Sequence, residues 1–271
     1  MPKVALLAPA RRAFSYAVLG RRLNIEGLAT MVIALIAWQI ASAYFPPFLF
    51  PPLQDIIATF TKLLLNGTLL GTAGLTYLRV IAALSFSFII ATALGFCGGL
   101  HRTVDRIVLP FIQFKQGVPS VCWIIFSVLC FKNTEVRIAF IIIVSTVPSL
   151  YYLTRDGVKA IPTDLWDMVR AWRPTRIQIA RKIIIPAVLP AMVTGLRINI
   201  GTAARVGIFA EVFGGISGVG YHLRVAEEQF RMDAVMAWTI ILVVLILASD
   251  KLMSVIENRL LKSRGLLEQQ S

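Results

Sequence analysis

The hydrophobic and polar positions of this chain fall into long apolar runs broken by short charged ones. A helix needs about 20 residues to cross a bilayer. Six runs approach or exceed that length: roughly 27–45, 76–99, 107–131, 138–153, 183–210 and 234–256. Lys115 and Pro119 interrupt the third, which predicts a broken or kinked span. The fifth carries two charges, Arg197 and Arg205. Between the first two runs, Phe50-Pro51-Pro52-Leu53 is followed by Ile56, Ile57, Phe60, Leu63 and Leu64 at helical spacing. Asp55, Thr59 and Lys62 fall on the other side, so this segment predicts a helix lying in the outer interface.

Composition turns that pattern into a class. Of 271 residues, 57% are hydrophobic and 15% charged, and the mean hydropathy is +0.77. Soluble domains are about 45–50% apolar and about 25% charged. A water-soluble fold of this length could not hide so much apolar surface, so the chain is an integral membrane protein facing lipid. Its three cysteines, Cys97, Cys122 and Cys130, lie in apolar stretches with neither paired nor metal-ligand spacing.

The net charge of +13 is an orientation signal and not a mark of nucleic-acid binding. Segments 1–26, 101–106, 154–182 and 251–271 hold 18 of the Lys and Arg residues, and the alternate loops hold 5. Basic residues stay on the cytoplasmic side, which places both termini there, as six spans require. Ala41-Ser42-Ala43 resembles a signal-peptidase site, but the apolar chain that follows favours an uncleaved first span. The expected organisation is a cytoplasmic segment 1–26, a transmembrane domain 27–258 with a cytoplasmic loop 154–182, and a tail 259–271.

No catalytic constellation accompanies this architecture. His101 and His222 are assigned to opposite sides of the membrane, and no His-Glu-x-x-His, Cys-x-x-Cys or Gly-x-Ser-x-Gly occurs. There is no phosphate-binding Gly-x-x-x-x-Gly-Lys-Ser/Thr, so the chain does not bind ATP by that route. The loop 154–182 carries the most definite pattern. Pro162, Thr163 and Asp164 make a helix start whose side chains can cap free N–H groups. Leu165, Trp166, Val169 and Trp172 then form an apolar stripe that Pro174 ends. Such a helix is either a docking element or an interfacial helix anchored by its tryptophans.

Here the sequence resembles a known family: the permease subunits of bacterial ABC importers, in the group that moves nitrate, bicarbonate, taurine and aliphatic sulfonates. Asp167-Met168-Val169 stands where that family has Glu-Ala-Ala, Arg173 where it has glycine, and Pro186 and Pro190 match its closing prolines. Gly195-Leu196-Arg197, Glu211-Val212-Phe213-Gly214 and Gly218-Val219-Gly220-Tyr221 continue the match. Upstream, Phe50-Pro51-Pro52, Arg79-Val80, Pro119 and Pro148 through Gly157-Val158 also fall in place. The resemblance covers about residues 46 to 258. The chain departs from it in span three, where the family's Pro-Leu…Trp-Phe-Gly appears as Ile125-Phe126…Cys130-Phe131-Lys132.

The resemblance implies an all-α, type I importer permease of about six spans. Two copies, identical or related, would form the pathway. Separate ATPase subunits, using ATP and Mg, would grip the loop as a coupling helix through Asp164, Leu165, Trp166, Asp167, Val169, Arg170, Trp172 and Arg173. A periplasmic binding protein would deliver the solute, and the permease itself would bind no cofactor.

Charges within spans are expensive and face a cavity or a partner. Arg205 is either a cation that attracts an anionic solute or the partner of a buried carboxylate such as Glu211. Arg197 matches a family position near the cytoplasmic end and reads as structural, though it too borders the candidate path. Lys115 and Gln116 precede Pro119, where a broken span lets backbone groups line a cavity, and Trp123 could stack on a solute. Gly95-x-x-x-Gly99 could admit a close neighbour helix, and Gly214, Gly215, Gly218 and Gly220 form an outer turn. A self-sufficient secondary transporter would want paired acids deep in the spans, yet Asp250 is the acid placed well inside one. A non-transporting scaffold would carry no flux at all.

Overall fold

A computed structural model of the chain describes residues 25–165 and 175–262, and among these there is no strand. The helices are α1 (Ile25–Tyr44), α2 (Leu53–Leu65), α3 (Thr68–Leu100), α4 (Arg102–Gly117), α5 (Ser120–Cys130) and α6 (Thr134–Lys159). After the segment outside the described residues come a helical turn (Arg176–Ile179) and a π-helical turn (Ala180–Ile184). The long α7 (Ile185–Gly214) follows, then α8 (Val219–Glu228) and α9 (Met232–Lys262). Five helical segments are long and apolar enough to cross a membrane, and α4 with α5, bent by 98° at Pro119, makes a sixth if taken as one span.

The expected broken span is therefore present. Pro119 cannot donate an N–H, and Val118 before it is extended (φ −94°, ψ 124°), as a residue preceding proline prefers. The second span begins at Thr68 rather than near 76, because small and polar residues such as Gly71, Thr72 and Gly74 lower the hydropathy without breaking the helix. The interfacial helix appears as α2, whose 13 residues are too few to span. Its Thr59 Oγ1 donates to Asp233 Oδ2 at 2.6 Å, tying it to the start of α9.

The described chain divides into two compact units after Leu53. In the first, the Trp38 indole N–H donates to the Pro51 carbonyl at 3.1 Å, and Gln39 Oε1 accepts the Leu53 N–H at 3.1 Å. These bonds fold the proline-rich turn back on the end of α1.

In the second unit the contacts fix helix direction. Arg79 meets Glu135, Ser87 meets Thr146 at 2.6 Å, and Gly95 and Gly99 face Thr154 and Val158, so α3 and α6 run parallel. Two parallel helices need a return crossing between them. The bent α4–α5 pair supplies it: Asp105 in α4 bonds Tyr151 and Lys159 at one end, and Val128 in α5 lies beside Gly214 at the other. Helix α7 runs antiparallel to both, with Thr76 at Glu211 and Asn199 at Ser149, and α9 returns alongside it with Glu257 at Arg197. Val80, Leu84, Ile138, Ile142, Leu150 and Ile200 fill the core between α3, α6 and α7. The outer faces stay apolar and exposed, as at Leu78, Phe86 and Leu247, because lipid and not water surrounds such helices.

Gly95 and Gly99 explain the closeness of α3 and α6. A Cβ built on Gly95 would lie 2.7 Å from Thr154 Cβ, and one on Gly99 2.6 Å from Val158 Cβ. Small residues let backbones approach where no hydrophobic force joins helices in lipid, so dispersion and local hydrogen bonds hold them instead.

Candidate functional site

Charged side chains collect at three levels of the second unit. At one end, Asp105 Oδ1 accepts the Tyr151 hydroxyl at 2.7 Å and an Arg155 N–H at 3.3 Å, and Oδ2 accepts from Lys159 Nζ at 2.6 Å. This cluster ties the first turn of α4 to the last turns of α6.

At the opposite end, Glu211 is buried, with 1% of its side chain exposed. Its carboxylate accepts Thr76 Oγ1 at 3.0 Å, Arg79 Nη1 at 2.9 Å and the Gly220 N–H at 3.0 Å. Arg79 also donates to Glu135, to the Ser217 carbonyl at 3.0 Å and to Ser217 Oγ at 2.9 Å. Gly218 is needed here for two reasons: its φ of +106° suits glycine, and a Cβ would fall 2.2 Å from Glu211 Oε1. The glycine turn is thus clasped onto a buried carboxylate instead of lying as a loose surface loop.

Of the two readings open for Arg205, the pairing with Glu211 is not formed, since Arg79 takes that carboxylate. Six residues along a helix turn the side chain by about 120° net, so the two point to different faces. Glu211 faces α3, while Arg205 is exposed on the side toward α9.

Between these ends lies a notch of about 310 Å³ on α7 and α9, lined by Thr194, Arg197, Ile198, Gly201, Arg205 and Asp250. Glu257 occupies Arg197 at 2.7 Å and also accepts Thr194 Oγ1 at 3.0 Å, in keeping with a structural Arg197. Arg205 and Asp250 differ from that pair. Both are exposed, and among the described residues neither has an ion pair. They converge on Gly201, where a Cβ would sit 3.6 Å from Asp250 Oδ1 and 3.7 Å from Arg205 Nη2.

Residues 91–262 match the family described as the binding-protein-dependent transport system inner membrane component. The chain belongs to this family. Among its relatives, the bicarbonate transport system permease protein of Synechococcus elongatus is 30% identical over 213 residues, 74% of this chain and 77% of that protein. A Bacillus subtilis permease named for aliphatic sulfonates transport is 25% identical over 246 residues, 90% of this chain and 89% of that protein. In fold, the permease resembles an inward-facing crystal structure of the MetNI methionine ABC transporter. The TM-score is 0.53 at 18% identity, over 69% of this chain and 95% of that chain. The permease is thus an all-α membrane protein with the type I importer fold, a transport component of an ABC system.

The remaining sequence candidates are scattered. Lys115, half-buried, and Gln116, exposed, close α4 at the break, and Trp123 opens α5 on the other side of it. Trp123 packs edge-on to Phe114 and Phe126, with centroids 6.4 and 6.1 Å away, and its buried indole N–H has no acceptor among the described residues. Asp164 and Leu165 are exposed in the turn after Pro162, where the Leu165 N–H bonds the Pro162 carbonyl at 3.2 Å. Trp166, Asp167, Val169, Arg170, Trp172 and Arg173 lie outside the described residues. Just beyond them, the Thr175 N–H donates to Gln178 Oε1 at 2.9 Å and the Gln178 N–H to Thr175 Oγ1 at 3.4 Å. This reciprocal cap was written in the sequence as Thr-x-x-Gln and starts the helix that leads into α7.

Thr76, Asp250 and Glu257 complete the clusters that the candidate arginines and Glu211 suggested only in part. Glu257 lies a single residue past the end expected for the last span, and α9 continues through it. Among the described residues no group of three or more His, Cys, Asp or Glu could hold a metal ion.

Outside the spans, His222 on α8 stacks on Trp238, with centroids 4.9 Å apart and planes 11° apart. Burial holds its pKa below the ordinary 6.5, so the fold favours the neutral ring. The stability this group gives is complete above the unfolded value and is lost as pH falls through the lowered folded one. The melting temperature of the purified permease should therefore fall on acidification below about pH 6.5, where unperturbed histidine titrates, and His222→Gln should flatten that part of the profile. An unchanged acid slope in the variant would assign the loss to another group.

Proposed function

We propose that this permease is the membrane subunit of an ATP-driven importer for a small solute bearing an anionic head group, of the nitrate, bicarbonate, taurine or sulfonate kind. The observation that carries the reading is the α7–α9 notch. An unpaired guanidinium exposed within a span is costly unless it serves a partner or a pathway, and Arg205, about two-thirds of the way along α7, is such a group. The names of the bicarbonate and sulfonate relatives support an anionic head group. Arg197, at the same notch, adds positive potential even while it holds Glu257. Lys115, Gln116 and Trp123 at the α4–α5 break form a second, lesser candidate for the path.

The 18 to 5 distribution of basic residues supports cytoplasmic termini and a cytoplasmic loop 154–182, in what on this reading is a bacterial inner membrane. There a pair of ATPase subunits, with ATP and Mg, would hold Asp164, Leu165, Trp166, Asp167, Val169, Arg170, Trp172 and Arg173. Closure of the ATPases would rock the spans through the cap at Thr175 and the π-helical turn into α7, a rigid-body form of alternating access. On the outer side a periplasmic binding protein would deliver the solute to a dimer of this chain, with itself or with a related permease.

Mild-detergent purification of the tagged chain from its native host, with mass spectrometry of stoichiometric partners, tests this reading. An ATPase carrying a phosphate-binding loop is expected among them. Trp166→Ala with Trp172→Ala should lower its recovery at least tenfold, while the permease stays in the membrane. Undiminished recovery would remove the tryptophans from the contact.

A further inference from the structure

The notch holds more than an anion needs. We propose that Arg205 and Asp250 form the two ends of a site for a short zwitterion, with Asp250 as the residue that selects an ammonium group on the solute. This rests on the importer reading and narrows it, since nitrate and bicarbonate carry no cationic end.

Three observations lead there. Asp250 is an exposed carboxylate deep in α9, and among the described residues it has no cationic partner; Arg205 faces the same space and has no anionic one. Their charged atoms approach the same point, within 3.6 to 3.8 Å of the Cβ that Gly201 lacks, yet do not pair with each other. The space between them is open because residue 201 has no side chain, and the notch of about 310 Å³ is of the size that small solutes occupy. A plain anion drawn to Arg205 would sit beside a carboxylate and be repelled by it. A solute with an oxyanion at one end and an ammonium two or three bonds away satisfies both groups. Thr194 and Arg197 do not compete for it, since Glu257 already engages them.

Uptake in the native host, with its chromosomal copy deleted and replaced by the wild-type or variant chain, gives the test. Matched radiolabelled pairs differ in the ammonium: 2-aminoethanesulfonate against ethanesulfonate, and 3-aminopropanoate against 3-hydroxypropanoate. Chain level in the membrane is followed by immunoblot. The wild type is expected to take up the amino member of at least one pair ten times faster or more, and Asp250→Asn to cut that ratio at least tenfold. Arg205→Gln should raise the KM for the preferred amino solute by a similar factor.

Preference for the non-amino members, or a ratio that Asp250→Asn leaves unchanged, overturns the zwitterion site while the importer reading stands. Uptake of none of the four by a permease that still purifies with its ATPase does the same. Absence of both uptake and a co-purifying ATPase overturns the importer reading itself. If Asp250→Asn or Arg205→Gln breaks the permease dimer, and the charge swap R205D with D250R restores it, the two groups bind a second copy of the chain and not a solute.

Discussion

Exchange of Arg79 for methionine is expected to cost the folded permease about 3–5 kcal/mol, the range seen when one partner of a buried ion pair is removed. Against a total stability of about 5–15 kcal/mol, that removes from about a fifth to the whole of the folding free energy. The reason lies with Glu211. With 1% of its side chain exposed, it would keep Thr76 and the Gly220 N–H but lose its countercharge. Glu135 would matter less, because 59% of its side chain is exposed and solvent can screen it. Glu211→Gln alone should also destabilise, by leaving Arg79 with one carboxylate where it had two. The double variant R79M with E211Q should recover part of the loss, since no uncompensated charge is then buried. The measurement is the fraction that stays monodisperse in detergent after stepwise heating. A melting temperature for R79M equal to the wild type's would show that the clasp does not depend on the ion pair.

Gly95→Val together with Gly99→Val is expected to have the second-largest effect. The added Cβ atoms would start 2.7 Å from Thr154 Cβ and 2.6 Å from Val158 Cβ, with the Tyr151 and Arg155 carbonyls each 3.1 Å away. Backbone and β-branched side chains cannot swing aside, so α3 and α6 must part. Overpacking costs about 1–3 kcal/mol per site. Separation would also pull Tyr151 from Asp105 and loosen the tie between α4 and α6. Gly74→Ala is the control, because nothing lies within 4 Å of a Cβ there. A double variant as stable in detergent heating as that control would mean the two helices pack less closely than described.

How much of this was legible in the sequence differs from element to element. The spans were, because twenty apolar residues in a row have few other uses, and so was the break at Pro119, because proline lacks the N–H that a continuous helix needs. Gly95-x-x-x-Gly99 was legible as a motif, but not which helix it meets. The pairing of Glu211 was not legible: in sequence Arg205 is six residues away, and Arg79 is 132 residues away yet 2.9 Å in space. Arg79 did leave a trace, as an arginine inside a span that must find a partner. Asp250 left a similar trace, whereas Thr76 left none, since a lone threonine in a helix has many uses.

What the sequence determined by itself was the solvent: hydrophobicity is set by composition along the chain, so it does not depend on which helices touch. The tertiary structure alone decided which charges cancel and which are left over. Ion pairing depends on the face a side chain occupies and on the helix packed against that face, and neighbours in sequence do not supply it. Glu211 therefore belongs to Arg79 and Glu257 to Arg197, while Arg205 and Asp250 converge on Gly201 and, among the described residues, form no ion pair.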